Sequence, residues 1–428
     1  MAALGSLILG LLALVGLPLF VVILAAALLG FYVAEVPVTV IAIEMYRIVE
    51  TPMLLALPLF TFSGYLLAEC GLSSRLVRLT DALLGWLPGG LALVAFITCA
   101  FFTAFTGASG VTIVAIGALL YPALQEGGYS EKFSLGLVTT SGSLGLLLAP
   151  SLPLILYGVL VQQMNLSISF SIQDLFIAGL LPALLMISLL TAFTLWVHRG
   201  RSSLMAGRKK SVKVSQALWA MRWEIPLPIV VLGGIYSGFF AVSEAAAITA
   251  AYVILVEVVI HQEIKLRQLP EITQNAMTMV GGILLILAVS LAFTNFLIDS
   301  EIPQKLFEQV RFWVSSPITF LLLLNIILLI LGALLDIYSA LIIMIPLIVP
   351  MAMQFGIHPV HLGIIFLANM QIGYFTPPVG MNLFIASYRF EKPIVEIYRA
   401  TLPFMLVLML ALLLITYLPI LSLGLLET

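Results

Sequence analysis

Long apolar runs alternate with short polar segments along the whole chain. A helix that crosses a bilayer needs about 20 mostly apolar residues. Runs that meet this requirement cover residues 5–30, 53–69, 133–163, 174–197, 223–240, 243–262, 273–298, 361–388 and 400–423. Because these runs are continuous and do not alternate in polarity, they predict helices and not the strands of a β-barrel. The predicted fold class is an all-α polytopic membrane protein.

Two further apolar regions, at residues 89–125 and 316–355, are each about twice the length of one span. Small or polar residues interrupt each region at its centre, at residues 106–110 in the first and at 332–339 in the second. Each region is either two full spans with a tight turn or a re-entrant helical hairpin that enters and leaves on one side. Irregular backbone at membrane depth is tolerated only inside protein or beside a cavity.

Composition narrows the class of protein. The 428 residues are 62% hydrophobic and 9% charged, whereas about a quarter of the residues in an average soluble domain are charged. A soluble enzyme of this length lacks the charges to cover its surface. Intrinsic disorder is also excluded, because the chain has ample apolar surface to bury.

The basic residues predict the orientation of the chain. With a cytoplasmic N-terminus and two hairpins, three fall outside, namely Arg47, Lys305 and Arg311. The other fifteen fall inside: Arg75, Arg78, Lys132, Arg199, Arg201, Arg208, Lys209, Lys210, Lys213, Arg222, Lys265, Arg267, Arg389, Lys392 and Arg399. This is a strong positive-inside bias. It places the base of the first hairpin in the cytoplasm and the base of the second outside.

An internal repeat relates the two halves of the chain, which the basic cytoplasmic loop at 198–215 separates. Turn-forming residues recur at a constant separation of 228 positions. The pairs are Pro122 and Pro350, Gly128 and Gly356, Gly145 and Gly373, and Pro150 and Pro378. The predicted orientation makes this repeat inverted, which is typical of secondary transporters.

Transporters of this kind bind their substrate near the midplane, where Gly and Pro break helices. The candidate discontinuous helices are broken at residues 142–153 and 373–380. Proline removes a backbone donor and glycine permits a turn, so carbonyl oxygens become free. Such oxygens suit Na⁺, and the positive ends of the half-helices suit a carboxylate.

At these motifs the sequence resembles the large membrane subunit of TRAP (tripartite ATP-independent periplasmic) transporters, the DctM or SiaM type. The matching stretches lie at residues 56–60, 71–76, 89–92, 107–117, 149–158, 233–246 and 376–382, the last reading Thr-Pro-Pro-Val-Gly-Met-Asn. Three stretches differ from the usual pattern: Gly110-Val111-Thr112, Ala149-Pro150 and Ala241-Val242-Ser243. These differences concern the geometry of the tips and not the family.

The resemblance implies Na⁺-coupled import of a carboxylate-bearing solute, such as a C4-dicarboxylate or sialic acid, by an elevator mechanism, with about two Na⁺ ions and no organic cofactor. It implies a bacterial inner-membrane location, a periplasmic solute-binding protein and a separate small four-helix membrane subunit of the DctQ or SiaQ type. A Na⁺/carboxylate symporter of similar fold that needs no binding protein remains the alternative.

The predicted domains follow the repeat. Residues 1–88 form N-terminal scaffold helices and a first amphipathic arm, and residues 174–315 form linking and scaffold helices with a second arm. Residues 89–163 and 316–388 form the transport domain, and residues 394–428 form a C-terminal helix. The arms, at about 72–88 and 303–314, are predicted to lie in the membrane interface and brace the mobile domain, or else to be ordinary polar loops.

The candidate Na⁺ ligands are Ser109, Gly142, Gly145, Pro150, Gly332, Asp336, Gly373 and Thr376. The candidate substrate ligands are Ser109, Ser151, Ser339 and Asn382. Each has a structural alternative. Ser109 and Asp336 suit helix N-caps, the two breaks suit packing kinks, and Ser151 and Asn382 suit hydrogen bonds between helices.

Three further features are weaker. Glu244 is interpreted as an acid at a span boundary. His358 and His361 are not predicted to bind metal, because a proline separates them and no third ligand is close in sequence. Gly107-Ala108-Ser109-Gly110 also matches the signature of intramembrane serine proteases. That chemistry needs a histidine base, and all four histidines lie at span ends or in loops.

Overall fold

The computed structural model describes residues 17–426 except 48–50, 88, 165, 167, 169, 200–212 and 315. The first part of the predicted span at 5–30 and most of the basic loop lie outside the described residues. Helices of the first half are α1 (Leu19–Val33), α2 (Thr39–Arg47), α3 (Ala56–Glu69), α4 (Leu72–Leu84), α5 (Gly90–Thr106), α6 (Ser109–Glu126), α7 (Glu131–Ser141), α8 (Leu152–Gln163), α9 (Ile172–Ala178) and α10 (Leu180–Val197).

Helices of the second half are α11 (Val214–Ala220), α12 (Pro226–Tyr236), α13 (Val242–Ile254), α14 (Leu269–Asp299), α15 (Ile302–Trp313), α16 (Pro317–Leu334), α17 (Ile337–Gln354), α18 (Pro359–Gly373), α19 (Met381–Arg389), α20 (Ile394–Tyr417) and α21 (Ile420–Leu423). A π-helical segment, Leu255–Ile260, continues α13. Among the described residues, nine helical segments are long and apolar enough to span a membrane, and no strand is present. The all-α membrane fold is therefore confirmed.

The predicted spans differ in detail from the helices. The run at 133–163 is divided into α7 and α8, and the run at 361–388 into α18 and α19. Each division lies at a predicted break, so Gly and Pro end these helices before the apolar runs end. The run at 223–240 contains only the short α12, and the last long helix, α20, begins six residues before the predicted start of its span at 400.

The repeat of 228 positions is visible in the helix boundaries. Adding 228 to the bounds of α6 gives the bounds of α17, and adding it to the first residue of α7 gives the first residue of α18. Both double-length regions are helical hairpins: α5 and α6 form the first, and α16 and α17 form the second. Gly128 and Gly356, which follow the two hairpins, both have positive φ, 91° and 76°. The sequence repeat is a structural repeat.

The C-terminal helix α20 shows that the two repeats are inverted. Its 24 residues extend over about 36 Å. Just before its first residue, Lys392 forms an ion pair with Glu131, the first residue of α7, just after the first hairpin. Near its end, the Thr416 carbonyl lies 3.2 Å from His361 Nε2, just after the second hairpin. The hairpin bases therefore lie at opposite ends of α20.

Both predicted amphipathic segments, at 72–88 and 303–314, are helical, as α4 and α15. Each lies immediately before a hairpin, so we call them the first and second arm. Away from the hairpins, α14 packs against α1 and α3, and α3 packs against α13. These helices correspond to parts of the two predicted scaffold segments.

Candidate functional site

The tips of the two hairpins meet at the centre of the molecule. The hydroxyl of Tyr338, at the start of α17, donates a hydrogen bond to the Gly107 carbonyl at 3.1 Å. Gly107 has a φ of 65°, which favours glycine. A Cβ at this position would also lie 2.5 Å from Leu152 Cδ1 at the start of α8. The first tip thus contacts both the second tip and the first broken helix.

The first broken helix packs on its own hairpin through glycine. A Cβ added to Gly145 would lie 2.0 Å from the Ala100 carbonyl oxygen and 2.5 Å from the Ala104 nitrogen, both on α5. The Gly142 carbonyl accepts a hydrogen bond of 2.8 Å from Thr103 Oγ1. The Ser151 hydroxyl, beside the cis Ala149–Pro150 bond, is buried and has no hydrogen-bond partner. The break supplies polar atoms at a buried position.

The second broken helix repeats this arrangement. A Cβ added to Gly373 would lie 2.5 Å from the Cα of Gly332 on α16, and Gly332 is the repeat equivalent of Ala104. The Gly380 N–H donates to the Ala333 carbonyl at 2.9 Å. Thr376 lies just beyond α18 and donates back to the Ile372 carbonyl of that helix at 2.9 Å. Close glycine packing thus fixes the same predicted ion-binding region in both halves.

The two halves also make direct hydrogen bonds to each other. Ser143 Oγ donates to the Gln371 carbonyl at 3.1 Å, and these residues are repeat equivalents, 228 positions apart. Residues related by a pseudo-twofold axis meet only on that axis, so it passes between the two broken helices. The predicted ligands Ser109 and Asn382 also meet, because Ser109 Oγ donates to Asn382 Oδ1 at 2.8 Å. Asn382 Nδ2 is buried without a hydrogen-bond partner.

The two tips have different caps. Asp336 is the N-cap of α17, where its Oδ1 accepts hydrogen bonds from the backbone of Tyr338 and Ser339, both at 3.0 Å. The Ser339 hydroxyl donates to the other carboxylate oxygen at 2.5 Å. In contrast, the N-cap of α6 is Ala108, and Ser109 is the first helical residue with no capping bond. The capping alternative therefore holds for Asp336 and not for Ser109.

A cavity of about 750 Å³ lies between the tips, α19 and the helices α3 and α14. Ser109 lines it together with two residues that sequence reasoning missed, Tyr338 and Tyr374. The Tyr374 hydroxyl accepts a hydrogen bond from the Ile337 N–H at 3.0 Å. The only charged side chain among the described residues that line the cavity is Glu69. The N-terminus of α6 contributes its first residues to the wall, so the cavity offers backbone donors together with the O–H of Tyr374, which acts as an acceptor in its bond from Ile337.

Of the predicted ligands, one lines the cavity among the described residues. Ser109 lines it, whereas Gly142, Gly145, Pro150, Ser151, Gly332, Asp336, Ser339, Gly373, Thr376 and Asn382 lie outside its lining. Tyr338 and Tyr374 each lie one or two residues from a predicted ligand. Their position beside a predicted tip or break was the one sequence signal that could have identified them as cavity residues. The signal is weak, because many tyrosines in membrane proteins only fill space between helices.

The weaker sequence candidates have structural partners. Glu244 Oε2 accepts a hydrogen bond of 2.9 Å from the Ala241 N–H, as an acid does at a helix start. His361 Nδ1 lies 2.6 Å from Ser422 Oγ, and His358 accepts a bond from the Val360 N–H at 3.2 Å. Both histidines are thus held by other groups.

The known proteins that this chain resembles are membrane transporters, in agreement with the inverted hairpins and broken helices. The family model of the "Tripartite ATP-independent periplasmic transporter, DctM component" matches residues 5–421. The C4-dicarboxylate TRAP transporter large permease protein DctM of Rhodobacter capsulatus is 34% identical over 92% of this chain and 91% of that protein. The protein of the same name from Pseudomonas aeruginosa is also 34% identical, over 90% of this chain and 88% of that protein.

Two other similarities bear on chain organisation and fold. The isethionate TRAP transporter permease protein DctMQ of Oleidesulfovibrio alaskensis is 33% identical over 95% of this chain, which spans 63% of that protein's length. The crystal structure of the Alcanivorax borkumensis YdaH transporter, described as having an unusual topology, superposes with a TM-score of 0.60. That match covers 85% of this chain and 84% of the YdaH chain at 17% identity, and it supports the fold alone.

These relatives are named as transport permeases, which are not enzymes, and the apolar helices make this chain a multi-pass protein of the inner membrane. The match covers nearly the whole chain. It is consistent with the inverted hairpins and with the close glycine packing at the two helix breaks. The chain belongs to the DctM component family of tripartite ATP-independent periplasmic transporters.

Proposed function

We propose that this chain imports a carboxylate-bearing solute in symport with Na⁺, by an elevator movement of the hairpin-containing domain. The observation that carries the proposal is the central cavity, where the two hairpin tips and the second broken helix meet. Its wall combines a helix N-terminus with hydroxyl groups, which together favour an anion. Relatives named for C4-dicarboxylates support that substrate class.

The proposed Na⁺ sites lie beside the cavity, at each tip and the adjacent break. The first uses Ser109, Gly142, Gly145 and Pro150, and the second uses Gly332, Asp336, Gly373 and Thr376. Carbonyl, hydroxyl and carboxylate oxygens are the ligands that hard cations prefer. Ser151, Ser339 and Asn382 are proposed to contact the substrate. The Ser151 hydroxyl and the Asn382 Nδ2 are buried without hydrogen-bond partners, which supports this assignment because buried polar groups need such partners.

The proposed partners are a periplasmic solute-binding protein and a small four-helix membrane subunit. Their presence is supported by the tripartite family and by the relative named DctMQ. The test is uptake of a labelled C4-dicarboxylate into liposomes that contain this chain and its small subunit, with the binding protein outside. We expect uptake only with an inward Na⁺ gradient. Equal uptake without Na⁺ would contradict symport, and uptake without the binding protein would favour the independent symporter.

A further inference from the structure

A cluster of buried charges lies outside the transport site, where the first arm meets the scaffold helices. Arg75 of the first arm is surrounded by three carboxylates. Its Nε lies 2.6 Å from Glu224 Oε1, its Nη1 lies 2.5 Å from Glu263 Oε1, and its Nη2 lies 3.4 Å from Glu257 Oε2. The Glu257 side chain is fully buried and that of Glu224 is 4% exposed. Nothing in the proposed transport cycle uses these residues.

The cluster has too little positive charge. Three carboxyl groups share one guanidinium, so with all three ionised and His261 neutral, two negative charges are uncompensated. Burying uncompensated charge is strongly unfavourable. The Glu257 oxygens lie 3.5 and 3.4 Å from Arg75 Nη2, which is long for a hydrogen bond. Glu224 Oε2 is buried without a hydrogen-bond partner. The shortage of partners therefore falls on Glu224 and Glu257.

Glu263 is already committed to the arm. Its Oε1 accepts a hydrogen bond from Arg75 Nη1 at 2.5 Å, and its Oε2 accepts one from the Gly71 N–H at 2.7 Å. Its two oxygens are thereby used. Glu224 and Glu257, the two carboxylates that face His261, still lack a compensating positive charge.

His261 completes a set of three ligand-type atoms. Its Nδ1 lies 3.4 Å from Glu257 Oε2 and 3.6 Å from Glu224 Oε1. Ligand atoms bound tetrahedrally to Zn²⁺ at about 2.1 Å lie about 3.4 Å from one another. One nitrogen and two carboxylate oxygens are ligands that zinc accepts. Glu257 also belongs to a π-helical segment, a rare conformation that occurs frequently at functional sites.

We infer that Glu224, Glu257 and His261 form a binding site for a divalent metal ion of the zinc class. The ion supplies the missing positive charge. Glu257 keeps Arg75 through Oε1, at 3.5 Å, and offers Oε2 to the ion. Glu224 Oε1 faces both Arg75 and His261, so one of its lone pairs serves Arg75 and the other serves the ion. The ion joins the turn before α12 to the end of α13, next to the start of the first arm.

The test is a titration of the purified full-length chain with ZnCl₂ after chelator treatment, followed by isothermal calorimetry and by X-ray absorption at the zinc edge. We expect one saturable site per chain with nitrogen and oxygen ligands. The substitutions E257Q and H261N each weaken binding at least tenfold. Matched controls are E263Q and C70S, because Cys70, Glu257 and Glu263 form a neighbouring group of ligand atoms. Both controls retain binding, and thermal melts show that every variant is folded.

Two outcomes would overturn the inference. If the folded wild-type chain binds no Zn²⁺, protons and not a metal ion balance the buried charge. If C70S or E263Q removes binding while H261N retains it, the ion occupies the neighbouring group and the assigned ligands are wrong.

Discussion

The two arms precede equivalent hairpins, yet they are attached differently. In the first arm, Arg75 forms ion pairs with carboxylates from the scaffold segments on both sides of α12 and α13. In the second arm, Lys305 donates to the Ser300 carbonyl at 2.9 Å, a neighbour on its own segment. No ion pair of the second arm is found among the described residues. The repeat preserves the helix but not its anchorage.

The tips differ in the same way. The second tip is capped by a carboxylate, Asp336, whereas the first turns through the left-handed backbone of Gly107 without a capping side chain. The glycine packing at the breaks is nevertheless alike, with Gly145 on α5 and Gly373 on α16. The two halves therefore share the close backbone packing at the breaks. The charged contacts of Arg75 and Asp336, by contrast, have no counterpart in the other half among the described residues. This difference predicts where substitutions have symmetric effects and where they do not.

The largest asymmetry is expected at the arms. The substitution Arg75→Gln leaves Glu224 and Glu257 buried without their cation, which costs about 3–5 kcal/mol. The equivalent loss of charge in the second arm, Lys305→Gln, costs less than about 0.5 kcal/mol because this side chain is exposed. Denaturant unfolding of each variant in detergent measures both values. Similar losses for the two arms would show that Arg75 does not anchor the first arm.

The breaks are expected to respond symmetrically. Gly145→Ala places a methyl group 2.0 Å from the Ala100 carbonyl oxygen, and Gly373→Ala places one 2.5 Å from Gly332 Cα. Neither backbone can yield cheaply, so each substitution costs about 1–3 kcal/mol or more. The control is Gly281→Ala, where no atom lies within 4 Å of the new methyl group and helix propensity favours alanine. Melting temperatures should fall for the first two variants only.

The symmetric part of this comparison was accessible from the sequence. The two double-length apolar regions predicted the hairpins. Gly and Pro positions repeated at 228 predicted the broken helices, because these residues act on the backbone wherever they stand. The positions of the other membrane spans followed from continuous apolar runs, although their exact ends did not. The short α12 did not, since hydropathy says that residues 223–240 are apolar but not where their helix begins and ends.

The site was less accessible. Ser109 and Asn382 were separate candidates, and only the fold shows that a hydrogen bond joins them across 273 positions. Tyr338 and Tyr374 gave no pattern distinct from packing residues. The cluster around Arg75 was missed because its carboxylates come from two other segments, and the hydropathy of one segment carries no information about charges in another.

A smaller asymmetry is expected at the tips. Asp336→Ala removes a cap and costs about 0.5–2 kcal/mol. Asp336→Asn keeps an N-cap acceptor, so its stability stays close to that of the wild type. If Asp336 also binds Na⁺, the asparagine variant needs at least tenfold more Na⁺ for half-maximal thermal stabilisation. An unchanged Na⁺ requirement in this folded variant would leave Asp336 as a cap alone.

The matching substitution at the first tip is Ser109→Ala. It removes no cap, since Ala108 occupies that position, but it leaves Oδ1 of the Asn382 side chain without its donor. We expect a loss of stability of about 1 kcal/mol together with a higher Na⁺ requirement. A shift in the Na⁺ requirement from only one of the two tips would confine ion binding to that tip.

The smallest effect is expected on the axis that relates the halves. Ser143→Ala removes the hydrogen bond to the Gln371 carbonyl, which contributes about 0.5–1.5 kcal/mol. Ser237→Ala is the control, because Ser237 Oγ donates at 3.3 Å to the Gly234 carbonyl of its own helix on the exposed surface. Ser143 and Gln371 hold equivalent positions in the two repeats. The difference in melting temperature between the two variants therefore measures how strongly the halves are coupled at their axis. Equal melting temperatures would mean that this polar contact across the axis contributes nothing to the assembly of the two halves.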